Sequence, residues 1–279
     1  MNQPPPQPRM PRLPRRIVCL STETVEVLYA IGEQARIVGI SGYTVYPPQA
    51  RKEKNKVFAF SSGDLGRILA VEPDLVLCFS DLQADIAGQL IKAGVAVHAF
   101  NQRSVEGILA MIETVGRLVG AAERALALAD ELAAMIARTR LAAATLPRRP
   151  RVYFEEWDEP PISGVGWVSE LIGIAGGDDV FADNAGKQAA SDRILPDPFE
   201  VVRRAPEIII GSWCGKRFLP ERVAARPGWH ALPAVSGGQL HEIKSALILS
   251  PGPVAIREGL PALRRVFETW AAAGSACGK

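Results

Sequence analysis

The residue types best suited to chemistry in this chain are rings and carboxylates placed just past short apolar runs. Tyr43 follows Ile37-Val-Gly-Ile-Ser-Gly, and Phe79 closes Leu75-Val-Leu-Cys-Phe. Glu155, Glu156, Trp157, Asp158 and Glu159 follow Val152-Tyr-Phe, and Trp213 and Cys214 follow Glu207-Ile-Ile-Ile-Gly-Ser. Rings at such places offer broad contact area with a polar edge, which suits a flat, bulky guest. The four carboxylates around Trp157 have two readings: a solvated loop, or acceptors for ligand amides or a cation. Cys214 has two as well, a half-buried thiol or a group able to approach the metal of a bound cofactor.

Residue patterns for catalysis are missing. The sequence holds no nucleophile elbow, P-loop or dinucleotide fingerprint. Gly173-Ile-Ala-Gly-Gly177 reads as a helix ending, since no strand leads into it. His98, His230 and His241 share no ligand spacing, so a metal site built by the protein is not expected. No acid and base can be paired from spacing alone. A binding protein is expected, not an enzyme.

The elements that must carry these residues alternate. Strands are predicted at 17–20, 37–40, 75–79, 95–100, 152–154 and 207–210, with an edge strand near 239–243. Helices fall at 24–31, 84–93, 167–175, 198–204 and 254–273. Between the two sets of strands, residues 105–146 are rich in alanine, leucine, glutamate and arginine, with Gly120 parting a shorter helix from a longer one at 121–146. Alternation of strand and helix implies parallel sheets, whose carboxyl ends hold ligands. The fold class expected is α/β: two Rossmann-like lobes with parallel sheets, joined by a single long bracing helix, with the ligand cleft between them. The divisions are 1–15, a disordered lead-in; 16–104, the N-terminal lobe; 105–147, the helical brace; and 148–279, the C-terminal lobe. At 279 residues each lobe can hold a core of its own.

Composition narrows the setting. The net charge of +2 and scattered arginines, without a basic stripe and interleaved aromatics, argue against nucleic acid. Cys19, Cys78, Cys214 and Cys277 form no CxxC pair, so free thiols are expected. Residues 1–16 are rich in proline and arginine and lack the apolar stretch of ~7–15 residues that an export signal carries. On that ground the protein as written is expected in the cytoplasm, or in the periplasm if its start is truncated or misassigned.

With these segments in view, the chain resembles the helical-backbone (class III) substrate-binding proteins of ABC importers, which carry cobalamin, ferric siderophores or haem. Four segments carry the likeness: Arg16-Ile-Val-Cys-Leu-Ser-Thr-Glu-Thr-Val-Glu, Val38-Gly-Ile-Ser-Gly-Tyr-Thr-Val-Tyr-Pro-Pro-Gln-Ala, Arg67-Ile-Leu-Ala-Val-Glu-Pro-Asp-Leu-Val-Leu and Ser250-Pro-Gly-Pro. Their order around a bracing helix spans residues 16–273, and the cobalamin branch is the nearest in pattern. The resemblance implies that Thr22, Tyr43, Phe60 and Phe79 line the cleft from the first lobe. From the second it implies Ile162 or its neighbours and Lys244 with Ser245. Trp157 and Trp213 join the set on physical grounds, as rings at strand ends.

What the resemblance implies is a monomeric protein that holds a corrinoid-like cofactor as ligand, needing no cofactor of its own. Importer-coupled relatives carry one exposed glutamate on each lobe to dock on a permease. Here those positions read Gly66 and Phe199, with Glu200 adjacent. A permease partner therefore enters as an expectation with its docking charges unmatched, and sequestration or hand-on of the ligand as the leading reading. The alternatives are a periplasmic importer component for cobalamin or a ferric siderophore or haem, an enzyme that processes a tetrapyrrole, and an interaction protein with an empty cleft.

Overall fold

The computed structural model describes residues 13–59 and 65–276. The first lobe runs β1 (Ile17–Cys19), α1 (Thr22–Ala30), β2 (Ile37–Ser41), α2 (Pro48–Glu53), β3 (Lys56–Phe58), α3 (Leu65–Leu69), β4 (Leu75–Phe79), α4 (Ala84–Lys92) and β5 (Ala96–Phe100). Its strands are all parallel, in the order β3-β2-β1-β4-β5. β1 and β4, central in that order, are apolar and buried at every position, as a strand covered on both faces must be.

Two helices follow, α5 (Val105–Leu118) and α6 (Ala122–Ala143). Ser104 caps α5 by accepting from the Gly107 amide at 3.0 Å. Gly120 turns the chain between them with φ +72°, and a Cβ there would meet Leu13 at 2.3 Å. The 22 residues of α6 span about 33 Å. The second lobe contains β6 (Arg151–Asp158), β7 (Pro161–Ser163), α7 (Gly166–Ala175), β8 (Asp178–Asp179), α8 (Phe199–Arg204), β9 (Ile208–Gly211), α9 (Pro220–Ala224), α10 (Pro233–Ser236), β10 (Leu240–Glu242), α11 (Ser245–Ile248) and α12 (Leu260–Ala276), the last preceded by a π-helical turn at Ala255–Gly259. Its sheet runs β10-β9-β6-β7, with β8 also on β6.

The α/β class, the two lobes and the helical backbone between them are as the sequence indicates. Four details differ. The lobes do not keep wholly separate cores: one cluster joins Ile17 and Leu77 to Ile112, Leu132, Phe154, Leu171 and Phe267. Each lobe adds a smaller cluster of its own, around Tyr153 and Trp229 in the second and around Leu20 and Ile68 in the first. A continuous core across the brace couples the lobes mechanically. Second, the segment after residue 154, read as a loop, is the far half of an eight-residue strand that returns as the antiparallel β7, Trp157 facing Ile162. Third, the short pair Asp178–Asp179, outside every predicted strand, adds to β6 in parallel. Fourth, the end of the lead-in is anchored: Pro14 O accepts from Arg36, and the Arg15 and Arg16 amides donate to the Asp74 carboxylate at 2.8 and 2.9 Å.

Candidate ligand-binding cleft

Loops that leave the strands of one lobe meet those of the other. Gln102, just past β5, donates from Nε2 to the Pro251 carbonyl at 2.9 Å. Glu26 on α1 accepts from the Val254 amide at 3.0 Å. Arg103 stands in the field of Asp81 on its own lobe and of Arg193 and Glu156 on the other; its pKa is lowered, chiefly by desolvation. The strand ends therefore face each other across the joint between the lobes.

On the first lobe the turn after β2 is a rigid pedestal. Ser41 and Thr44 are buried, the Gly42 amide donates to Phe58 O at 2.7 Å, and Arg51 Nη1 donates to Gly42 O at 3.1 Å. These bonds hold Tyr43 outward, 65% exposed. Thr22 opens α1 and is half-buried. Past β4, the Phe79 amide donates to Gln83 Oε1 at 2.9 Å, and Gln83 Nε2 donates to Leu20 O at 3.0 Å. That clamp leaves Leu82 60% exposed. Phe79 itself is only 5% exposed and carries the Arg103 guanidinium 5.1 Å above its ring. Phe60 lies outside the described residues.

On the second lobe the acidic run extends from buried Glu155 to exposed Glu159, and each of its carboxylates has a cation nearby. Glu155 is fully buried and accepts from Arg226 (2.5 and 2.9 Å), from Trp213 Nε1 (3.0 Å) and from the Tyr153 hydroxyl (3.0 Å). Glu156 pairs with buried Arg193 at 2.5 Å. Asp158 pairs with Lys216, and Glu159 lies 3.6 Å from Arg222. Every carboxylate of the run thus has a cation. Lys216 sits 3.9 Å over the half-buried Trp157 ring and 5.2 Å from the Trp213 centroid. Trp157, its cross-strand partner Ile162 and Lys216 form one patch. Lys244, exposed, precedes α11, and Ser245 begins it.

Two expected contact rings prove to be core. Trp213 is 2% exposed and packs edge-on to Phe218 at 5.0 Å, its N–H spent on Glu155. Phe79 belongs to the central cluster. An apolar ring at the end of a buried strand gains more from the core than from a mouth that water fills. Cys214 is exposed in the loop after β9, its thiol held up by desolvation and then by the Glu156 charge. Leu82, Arg103 and Lys216 were not foreseen. Leu82 carries a local signal, an apolar residue one turn past β4; Arg103 and Lys216 carry none, since their place depends on spatial neighbours.

Three hollows border the second lobe. A 330 Å³ cavity joins Arg103 to Gly166, Glu170 and Lys187. One of 360 Å³ lies beside Phe199, Arg222 and Trp229, and one of 500 Å³ beside Arg140 and Arg149; neither touches the strand-end rings. Among the described residues no group of three or more His, Cys, Asp or Glu side chains is placed to hold a metal ion. No helix among them is long and apolar enough to cross a membrane. At the two positions the sequence resemblance gives for permease docking, Gly66 is exposed, and Phe199 is 50% exposed. Glu200 accepts from Arg203 and Arg204 at 2.7 and 2.9 Å.

Two α/β lobes facing across a helical backbone, with pedestal-mounted apolar groups at the strand ends, define a substrate-binding protein. The family model described as periplasmic binding protein matches residues 17–247, and the chain belongs to that family. An ABC transporter substrate-binding lipoprotein of Bacillus subtilis, itself uncharacterized, is 26% identical over 263 residues, 90% of this chain and 79% of the relative. A vitamin B12-binding protein of Photorhabdus laumondii is 29% identical over 204 residues, 71% of each. The fold matches a periplasmic haem-binding protein from Roseiflexus sp. RS-1 in its apo form, with a TM-score of 0.77 at 23% identity, covering 91% of this chain and 99% of that one. These findings overturn the cytoplasmic location expected from residues 1–16. The family is one of periplasmic binding proteins, and its relatives include a lipoprotein, so the setting they indicate is extracytoplasmic.

Proposed function

We propose that this protein is the substrate-binding component of an ABC importer, that it holds a corrinoid between its lobes without altering it, and that it works as a monomer. The observation that carries the choice of ligand is the charge balance of the second-lobe mouth. Glu155, Glu156, Asp158 and Glu159 are each matched by a cation, which in turn occupies Arg226, Arg193, Lys216 and Arg222. A ferric siderophore asks for cations free to converge on it. A corrin is a largely apolar disc edged with amides, and it needs contact area with a few polar groups. Tyr43 and Leu82 supply exposed apolar surface on one lobe, and the half-buried pair Trp157 and Ile162 supplies a smaller area on the other. The vitamin B12-binding relative supports the same reading. Thr22, Lys244 and Ser245 would serve as hydrogen-bonding groups at the disc edge.

The test is a spectroscopic titration of purified protein with cobalamin, cobinamide, haem and a ferric hydroxamate. Saturation by the corrinoids alone is the expected result. Saturation by haem or the iron chelate alone would end the corrinoid reading. A spectrum that drifts with time after saturation would show turnover and end the claim that the ligand leaves unchanged.

A further inference from the structure

The lobes are joined where the first turn of α1 meets the Ser250–Val254 turn. The approach is so close that a Cβ on Gly252 would stand 2.6 Å from Glu23 Cβ and 2.7 Å from Glu26 Oε2. Around the two hydrogen bonds that cross this seam, Glu26 Oε1 and Gln102 Oε1 are buried without a partner, and buried Glu23 has only its own backbone amide and the Ser21 hydroxyl for hydrogen bonds. Glu23 and Glu26 are 3% and 4% exposed.

The charged and titratable groups near them are few. From β1, Cys19 faces Glu23, its thiol pushed up to about 12 by burial, and it carries no charge to offset a carboxylate. Lys54, after α2, and Cys78 of β4 act on Cys19. From the π-helical turn Arg257 acts on Glu26, but its guanidinium is bonded to Glu131 of α6 at 2.8 and 2.9 Å. The Ser250–Val254 turn has no titratable side chain. Among the described residues no ion pair reaches Glu23 or Glu26. A carboxylate sealed from water without a cation takes up a proton instead. Desolvation accordingly pushes Glu23 up to about 7 and Glu26 well above the ordinary range.

We propose that the seam is a proton-operated joint: with Glu23 and Glu26 protonated the Ser250–Val254 turn seats on α1, and loss of the protons unseats it. The sense follows from linkage. The seated state binds protons more tightly than the opened one, so seating is favoured at low pH and weakened as pH rises. With Glu23 alone, between an ordinary 4.5 when opened and about 7 when seated, opening increases roughly tenfold from pH 6 to pH 8. The joint uses none of the rings proposed to grip the ligand, though Thr22 adjoins it, and the inference holds whatever that ligand is.

The experiment has two readouts on the ligand-free protein. Carbon-13 NMR of glutamate side-chain carboxyls follows the titration. Hydrogen exchange at the Val254 amide, corrected for its intrinsic pH dependence, follows the opening. The expected result is Glu23 titrating near 7 and Glu26 well above the ordinary carboxyl range, with Val254 exchange rising about tenfold from pH 6 to 8. Glu23→Gln should remove one titration and flatten that rise, and Glu26→Gln should do the same if it folds. If both carboxyls titrate in the ordinary range, or if Val254 exchange has the same pH dependence in wild type and Glu23→Gln, the joint is not proton-operated.

Discussion

Removing the Arg226 guanidinium, as in Arg226→Met, isolates the most deeply buried charge at the second-lobe mouth. Glu155 is fully buried, and Arg226 gives it two charged hydrogen bonds of 2.5 and 2.9 Å. Met restores much of the apolar volume, so the loss is mainly one of charge. Two neutral donors remain, the Trp213 indole and the Tyr153 hydroxyl, both at 3.0 Å. Stripping one partner from a buried pair costs about 3–5 kcal/mol, and the remaining donors hold the value toward the lower end. The expected loss is therefore about 3 kcal/mol, measured by urea unfolding at neutral pH. The double change Glu155→Gln with Arg226→Met removes both charges and should recover at least half of the loss. Arg117→Ala provides the control, since its pairing with Glu113 one turn away is exposed and is worth only about 0.3–0.5 kcal/mol. The reasoning is refuted if Arg226→Met costs no more than the control, or if the double variant is as unstable as the single one.

Two further outcomes separate contact residues from core. Tyr43→Ala should leave the urea midpoint unchanged, since the ring is mostly exposed, while weakening corrinoid binding about tenfold or more in the same titration. Phe79→Ala should instead cost about 3–5 kcal/mol of stability, because that ring is buried in the central cluster. At His98, burial lowers the pKa, so the unfolded chain takes up the proton first and stability is lost as pH falls below about 6.5. His98→Phe should shallow that acid limb, read from melting temperatures between pH 5 and pH 8.

Much of the architecture was legible because burial on both faces leaves an unmistakable run. Ile17–Cys19, Leu75–Phe79 and Ile208–Gly211 are such runs, and each is a central strand. The helical break at Gly120 was also visible, since a residue with no Cβ is what a left-handed turn demands. The antiparallel return at Pro161–Ser163 was not, because a segment of carboxylates and prolines looks like loop until its charges are matched.

The site divides in the same way. Strand-end position follows from local sequence, and Tyr43 and Trp157 do stand at the ends of β2 and β6. Whether a ring there faces water or core depends on what packs beside it, and that is set by residues far away in the chain. Phe218 and Glu155 enclose Trp213, while Arg51 bonds only the backbone beneath Tyr43 and leaves its ring free. Order of elements, class of fold and the kinship with periplasmic binding proteins were therefore written in the sequence. The pairing of each carboxylate with its cation, and the sealing of Glu23 and Glu26 beneath Gly252, were decided only by tertiary structure, because electrostatic partnership and solvent access depend on distances that one-dimensional spacing does not contain.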